Sequence, residues 1–196
     1  MSTSADPIVR CWSTTDPAYL DYHDFEWGRP VLDERGLYER LCLEGFQSGL
    51  SWLTILRKRE NFRRAFKDFD PDTVARFSAR DISSLVEDAG IVRHRGKIEA
   101  AIANARGVLA LRDAGTPLEA VMWEYRRDGD APSDSIAETP GSRELSKRLK
   151  AAGFRFVGPT TVYSAFQACG IVNDHRADCI VRDEVERERA EAARNA

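Results

Sequence analysis

Apolar and aromatic residues recur along this chain at helical spacing. In residues 16–27, Tyr19, Tyr22, His23, Glu26 and Trp27 fall at i, i+3, i+4, i+7 and i+8, one face of a helix. Asp16 followed by Pro17 predicts the start, because an aspartate caps the first amides and a proline at the first position gives up no bond. Gly28 and Pro30 predict the end. A second helix is predicted over 37–45, with Leu37, Leu41, Glu44 and Gly45 on one stripe. A third begins near Ser51 and carries Trp52, Ile55, Leu56, Arg59 and Phe66 roughly in phase. Asp70 before Pro71 opens a short helix. Ser78 with Asp81 reads as a capping box, and Gly90 as the following stop. From residue 97 onward Ile98, Ile102, Ala105 and Leu109 are in phase, and further helices are predicted over 118–125, 143–152 and 160–169.

Three stretches break this pattern. Residues 126–142 hold Pro, Gly, Ser and Asp with little apolar content, which predicts a long exposed loop. Residues 153–158 are predicted to be briefly extended. From Arg182 the charges alternate in sign, the mark of a solvated or frayed helix. There is no internal repeat and no sustained alternation of period two. The fold class predicted is all-α: one helical domain over 1–183, then a charged tail over 184–196, frayed or disordered.

Composition narrows the function classes. At 196 residues the chain is long enough for one sizeable core, on a prior of roughly 150 residues per domain. No apolar run approaches the ~18 residues of a membrane span, and residues 1–12 lack a secretory apolar segment, so a cytoplasmic protein is expected. Four cysteines, Cys11, Cys42, Cys169 and Cys179, are too few for a disulfide scaffold. They read as thiols, core residues or metal ligands. A net charge of -3 argues against nucleic acid wrapped on every face, but leaves room for a local basic one.

Three groups of residues can carry chemistry. Cys11 and His23 near one end, with His175 and Cys179 near the other, make a set of two thiols and two imidazoles, the mixture zinc prefers in closed tetrahedral sites. His175 and Cys179 are spaced i, i+4, which stacks them if they lie on a helix. The competing reading is buried thiols and a surface histidine. Glu44 lies on an otherwise core-facing stripe, so its carboxyl must be bonded, paired, or turned to a cleft. Trp12, Tyr19, Tyr22, Trp27, Phe46 and Trp52 surround it in sequence. Singly such rings are ordinary core; together with one buried acid they describe a slot for a planar, cationic ligand. Two basic runs complete the set. Residues 57–64 carry five cations and one acid, which fits a solvated helix face equally well. Arg93, Arg95 and Lys97 bracket Gly96 at the start of a helix, where free amides and cations suit a phosphate.

Four long stretches, DPAYLDYHDFEWG (16–28), LCLEGFQSGLSWLTILRKRENFRRAF (41–66), DAGIVRHRGKIEAAIANA (88–105) and FRFVGPTTVYSAFQACGIVNDHRADC (154–179), carry a resemblance. In order and extent they resemble the bacterial DNA-3-methyladenine glycosylase I family of helix-hairpin-helix DNA glycosylases. The resemblance implies an all-helical enzyme with one structural Zn2+ that excises alkylated adenine from double-stranded DNA. It implies that Cys11, His23, His175 and Cys179 hold the zinc and that Glu44 reads the flipped base. It further implies that Tyr19, Tyr22 and Trp52 line the base pocket with Trp12 and Trp27 nearby. Arg93, Arg95, Gly96 and Lys97 would form the hairpin that grips phosphate. One departure stands out. The family usually places one residue between the first cysteine and its tryptophan, whereas here Cys11 and Trp12 are adjacent, so the loop to Asp16 has to absorb the difference.

The chemistry that follows needs a slot more than a strong acid or base. Alkylation at N3 leaves adenine cationic as its nucleoside, and the base departs neutral. No lysine is marked out as a Schiff-base nucleophile, so a monofunctional, monomeric glycosylase releasing free 3-methyladenine is expected. Two readings compete: a non-enzymatic DNA-damage binding module on the same scaffold, and a zinc hydrolase with three protein ligands and Glu44 as general base.

Overall fold

The structure, a computed structural model, describes residues 8–127 and 136–195, and the described residues contain helices and turns but no strand. The capping signals place the helices. Asp16 accepts from Ala18 and Tyr19 at the head of α1 (Pro17–Phe25). Asp33 accepts from Gly36, so α2 (Glu34–Gln47) starts three residues before the predicted 37. Ser51 caps α3 (Trp52–Ala65), and Asp70 caps the short α4 (Pro71–Val74). Ser78 and Asp81 make the predicted capping box of α5 (Ala79–Glu87). His94 caps α6 (Arg95–Asp113) by accepting from Lys97 N, which brings the start forward from the predicted 97. Beyond these lie α7 (Leu118–Trp123), α8 (Pro140–Ala151), α9 (Pro159–Ala168) and α10 (Arg182–Asn195).

The core forms around α2, which packs against α3, α6, α7 and α9, while α8 packs on α9. Leu37, Leu41, Phe46, Phe62, Phe66 and Phe69 are all essentially solvent-free. Burying one such side chain contributes roughly 1.5–3 kcal/mol. This layer therefore anchors the α2 face that carries Glu44.

Four expectations are corrected. The predicted exposed loop over 126–142 ends early, because Thr139 caps α8 from Pro140; residues 128–135 of that loop lie outside the described residues. Residues 153–158 are a turn, not an extended segment: Phe156 has φ +54°, and Asn104 holds the Arg155 backbone from both sides (2.7 and 3.1 Å). Gly107 admits this turn, since a Cβ there would lie 2.4 Å from the Phe154 ring. His175 and Cys179 sit on a turn rather than a helix, where Asn173 accepts from His175 N.

The tail is the fourth correction. It does not fray but docks as α10, with Val185, Arg189 and Ala192 buried. Arg189 is completely buried and donates to the carbonyls of Gly170 (2.6 Å), Arg127 (2.6 Å) and Ile171 (3.0 Å), with Glu186 as counter-ion (2.5 Å). Arg29 pairs with Glu188 and Glu184 from the other side. Carbonyls left open by the chain turn at Gly170 thus recruit a charged side chain that the sequence pattern assigns to solvent.

Candidate active site

A cavity of about 450 Å³ opens between α1, α2, the start of α3, α9 and the turn over 173–179. The α1 stripe turns Tyr19 and Tyr22 into it, α2 contributes Glu44, and the first residue of α3 contributes Trp52. Trp12, on the arm before α1, closes one side. Its ring lies 4.9 Å from Tyr19 and 4.7 Å from Trp27, and nearly parallel to Tyr22 at 6.2 Å. Tyr22 and Trp52 are 5.2 Å apart. The rings expected to line a slot therefore do so, while Phe46 belongs to the core with Phe62.

Glu44 is only 7% exposed, and no hydrogen bond to it is found among the described residues. Burial pushes its carboxyl up to about 8, and the Arg40 charge one turn earlier opposes that rise. An acid so placed can exchange its proton near neutral pH when a charged ligand arrives. Two further polar atoms of cavity-lining residues, Trp52 Nε1 and Asp174 Oδ1, are buried without a partner among the described residues. Tyr163 and Gln167 of α9 both donate to the other oxygen of Asp174, at 2.5 and 2.8 Å.

Beside the cavity Cys11, His23, His175 and Cys179 converge, their ligand atoms all within 4.8 Å of one another. His175 Nδ1 lies 3.4 Å from Cys11 Sγ and 3.5 Å from Cys179 Sγ, and His23 Nε2 lies 3.6 Å from Cys179 Sγ. The other nitrogen of each ring faces an oxygen: His23 Nδ1 meets Asp24 (2.8 Å), and His175 Nε2 meets the Trp27 carbonyl (3.0 Å). That leaves His175 Nδ1 and His23 Nε2 as the nitrogens facing the cluster, His23 Nε2 also accepting from the Cys11 amide (3.1 Å), and a partner on the far nitrogen is the usual support for a metal-binding histidine. Burial is the largest cause in each case: with Cys179 adding to it, the Cys11 thiol is pushed up to about 12, and with Arg182 and Arg29 adding to it, His175 is pushed down to about 4. The imidazole is thus in its ligating form, and a cation stabilises the thiolate. These four residues can hold a metal ion. Gly28 borders them with φ +82°, and a Cβ there would lie 2.8 Å from His175 Nε2. Cys11 reaches the cluster while Asp16 keeps its capping role, so residues 13–15 absorb the shortened spacing.

The two basic runs separate clearly. On α3, Arg57 pairs with Asp16, Arg59 with Glu26, and Arg63 with Glu39 and Glu60. Lys58 and Asn61 instead hold the 88–94 loop, donating to the carbonyls of Ala89 and Gly90. Arg93 on that loop and Arg95 at the first position of α6 are exposed. Gly96 lies in the first turn of α6. Lys97 does not join them, and its expected phosphate role is corrected: its Nζ turns inward to the carbonyls of Phe46 (2.9 Å) and Ser48 (2.5 Å) at the end of α2. Uncapped carbonyls at a helix C-terminus attract a cation more strongly than open solvent does.

Residues 12–183 match the methyladenine glycosylase family. This chain belongs to that family. It is 48% identical over 179 residues to DNA-3-methyladenine glycosylase 1 of Escherichia coli (strain K12), across 88% of this chain and 96% of that relative. Among solved structures it is similar to a crystal structure of 3-methyladenine DNA glycosylase I, with a TM-score of 0.84 and 46% identity over 88% of this chain and 98% of that one. It is also similar to 3-methyladenine DNA glycosylase I from Staphylococcus aureus, solved for the basis of 3-methyladenine recognition. There the TM-score is 0.83 and the identity 41%, over 86% and 93% of the two chains.

In this methyladenine glycosylase two further features escaped sequence reasoning. The first is that α8 and α9 form a helix–turn–helix, joined by the turn over 152–158. Its second helix starts at Gly158 without a side-chain cap, so its leading amides stay open. Phe156 of this turn meets His94 of the 88–94 loop, ring centroids 6.2 Å apart. The paired glycines Gly153 and Gly158 were the available signal. The second feature is Leu50, 40% exposed on the loop between α2 and α3. Gln47 and Lys97 brace that loop through the carbonyls of Leu50 and Ser48.

Proposed function

We propose that this chain is a DNA glycosylase that flips 3-methyladenine out of duplex DNA and hydrolyses its N-glycosidic bond, releasing the free base. The observation that carries the reading is a buried, unbonded Glu44 carboxyl in an aromatic-walled cavity large enough to admit a purine. A base inside the stack is out of reach, so the nucleotide must rotate out. Stacking on the cavity rings offsets roughly 1–3 kcal/mol of that cost, and cation–π contact adds up to ~2 kcal/mol where water is excluded. The N3-alkylated nucleoside is a cation, and its arrival favours loss of the Glu44 proton. The carboxylate then accepts from the exocyclic amine of adenine. Guanine presents an oxygen there and opposes it, so Glu44 discriminates between the bases. Water adds to the sugar carbon as the carbon–nitrogen bond breaks; the base leaves with the electron pair, neutral, and the water loses a proton. Among the described residues no lysine lines the cavity, which supports a monofunctional enzyme without a lyase step. Leu50 fills the gap in the stack as an apolar wedge.

The metal we assign is zinc, since two thiolates and two imidazoles suit its closed tetrahedral site. When bound, it supplies a cross-link and the positive charge that keeps both thiols ionised. His23 and Cys11 then tie α1 and the Trp12 arm to the turn carrying Asp174 and Arg176.

The test is incubation with duplex DNA alkylated at adenine N3. Free 3-methyladenine is expected, with strands intact until alkali treatment. Binding without release overturns the reading in favour of a damage-binding module. Immediate strand cleavage overturns the monofunctional assignment.

Backbone contacts follow from the two surface turns. We infer that Arg93 and Arg95, with the amides at Gly96 and at the start of α9, meet phosphates. Arg95→Ala is then expected to lower the slope of log K against log salt by about one, with base choice unchanged. Lys97→Met is expected to leave the slope alone and lower Tm. Binding titrations over a salt series check both; an unchanged slope in Arg95→Ala removes it from the phosphate face.

A further inference from the structure

Arg40 has no part in the chemistry above, yet it is 13% exposed and lies one helical turn before Glu44 on α2. Residues spaced i, i+4 share a helix face. Its guanidinium is poorly paired for so buried a cation. Nη2 is 3.3 Å from Glu26, Nη1 is 3.7 Å from Glu39, and Nε is buried without a partner among the described residues. Glu26 is already held through both oxygens by Arg59, at 2.6 and 2.7 Å. A buried cation left half-satisfied is costly unless its charge serves a further neighbour. The remaining acid on its face is Glu44.

We propose that Arg40 is the buried counter-cation of Glu44, a positioning residue whose charge favours the form of the carboxyl that accepts from a purine amine. This rests on the reading of Glu44 as the group that recognises the base.

The other groups around Glu44 do not supply that charge. Tyr19 and Tyr22 face it from α1, and burial raises both phenols, so they stay neutral. Cys169, after α9, is a buried thiol pushed up to about 12. Trp52 from α3 is uncharged. Asp174 lines the same cavity and has the like sign, while the Arg176 guanidinium pairs with Asp178 at 3.1 and 3.3 Å. With Arg40 removed, burial acts on Glu44 unopposed and its proton is held to higher pH. A protonated carboxyl also donates, so it no longer opposes a guanine oxygen.

The experiment follows the Glu44 carboxyl carbon by NMR titration in the full chain, with Glu44→Gln identifying the signal. The comparison is between wild type, Arg40→Met and Arg40→Lys. In Arg40→Met the midpoint is expected to rise by about one unit, excision near pH 7 to fall about tenfold, and the loss to be recovered near pH 9. Arg40→Lys, which keeps the charge, is expected to stay close to wild type on both readouts. Rescue at high pH separates this role from simple loss of packing, which pH does not repair. A midpoint in Arg40→Met within about 0.3 units of wild type overturns the proposal. If the midpoint moves while excision does not follow it, Arg40 is the counter-cation and the assigned role of Glu44 fails instead. Where Arg40→Met does not fold, Arg40→Gln keeps the length and is read in the same way.

Discussion

Glu44→Gln is expected to reduce excision of 3-methyladenine on the order of 100-fold while making the protein more stable at neutral pH. The activity loss is that of a charge-assisted hydrogen bond, roughly 1.5–3 kcal/mol, exchanged for an amide that presents donors as well as an acceptor. Adenine preference is expected to loosen with it. The stability gain follows from linkage. Burial raises the Glu44 carboxyl from an ordinary 4.5 to about 8, so the folded state holds a proton that the unfolded state releases. The favourable contribution is full below about pH 4.5 and is lost as pH rises through the window up to about 8. Near pH 7 the cost is on the order of 3 kcal/mol. Glutamine does not ionise, so Tm is expected to rise by several degrees at pH 7, with the gap closing near pH 4.5. Single-turnover excision and thermal unfolding across pH check the two halves. Full activity with unchanged base preference removes Glu44 from the site; a Tm gap independent of pH shows that its carboxyl is not strained by burial.

The largest loss of stability is expected from the metal ligands. Cys179→Ser and Cys11→Ser should each abolish stoichiometric zinc and lower Tm more than any cavity substitution, since four-ligand zinc sites contribute on the order of 10 kcal/mol in small peptides. Activity is expected to fall as well, because Trp12 and the turn carrying Asp174 are both held through this cluster. Cys42 and Cys169 are buried in the main core, apart from the cluster, so serine there should leave metal content unchanged. Elemental analysis with thermal melts decides. Metal lost from Cys179→Ser but kept in Cys11→Ser would show a three-residue site, reopen the metallohydrolase reading, and leave Cys11 a bystander.

Local chemistry explains what could be read before folding. Caps at Asp16, Ser51, Asp70 and Ser78 act within three or four residues, so the helix starts they set agree with prediction. The stripe on α2 exposes Glu44 as an acid among core positions, and a buried carboxyl cannot sit there without purpose. The soft ligand set of Cys11, His23, His175 and Cys179 is legible because few other residues bind metals so well. Each of these signals belongs to one segment or to residue type alone.

What needed the tertiary structure is where each charged side chain ends. Lys97 reads as one more cation of a basic turn, yet the open carbonyls of Phe46 and Ser48, distant in sequence, draw it inward. Arg189 reads as part of a solvated tail, yet it fills the carbonyl cage around Gly170. Five cations over 57–64 fit a solvated face and an anion-binding one equally well until Asp16, Glu26 and Glu39 are seen to meet three of them. The sequence by itself determined most helix starts and singled out the acid and the candidate ligand residues, because caps and stripes depend on neighbours along the chain and ligand chemistry depends on residue type. Only the folded structure decided which charges face solvent, the cavity or a buried carbonyl, because long side chains pair across space with partners that no local pattern reveals.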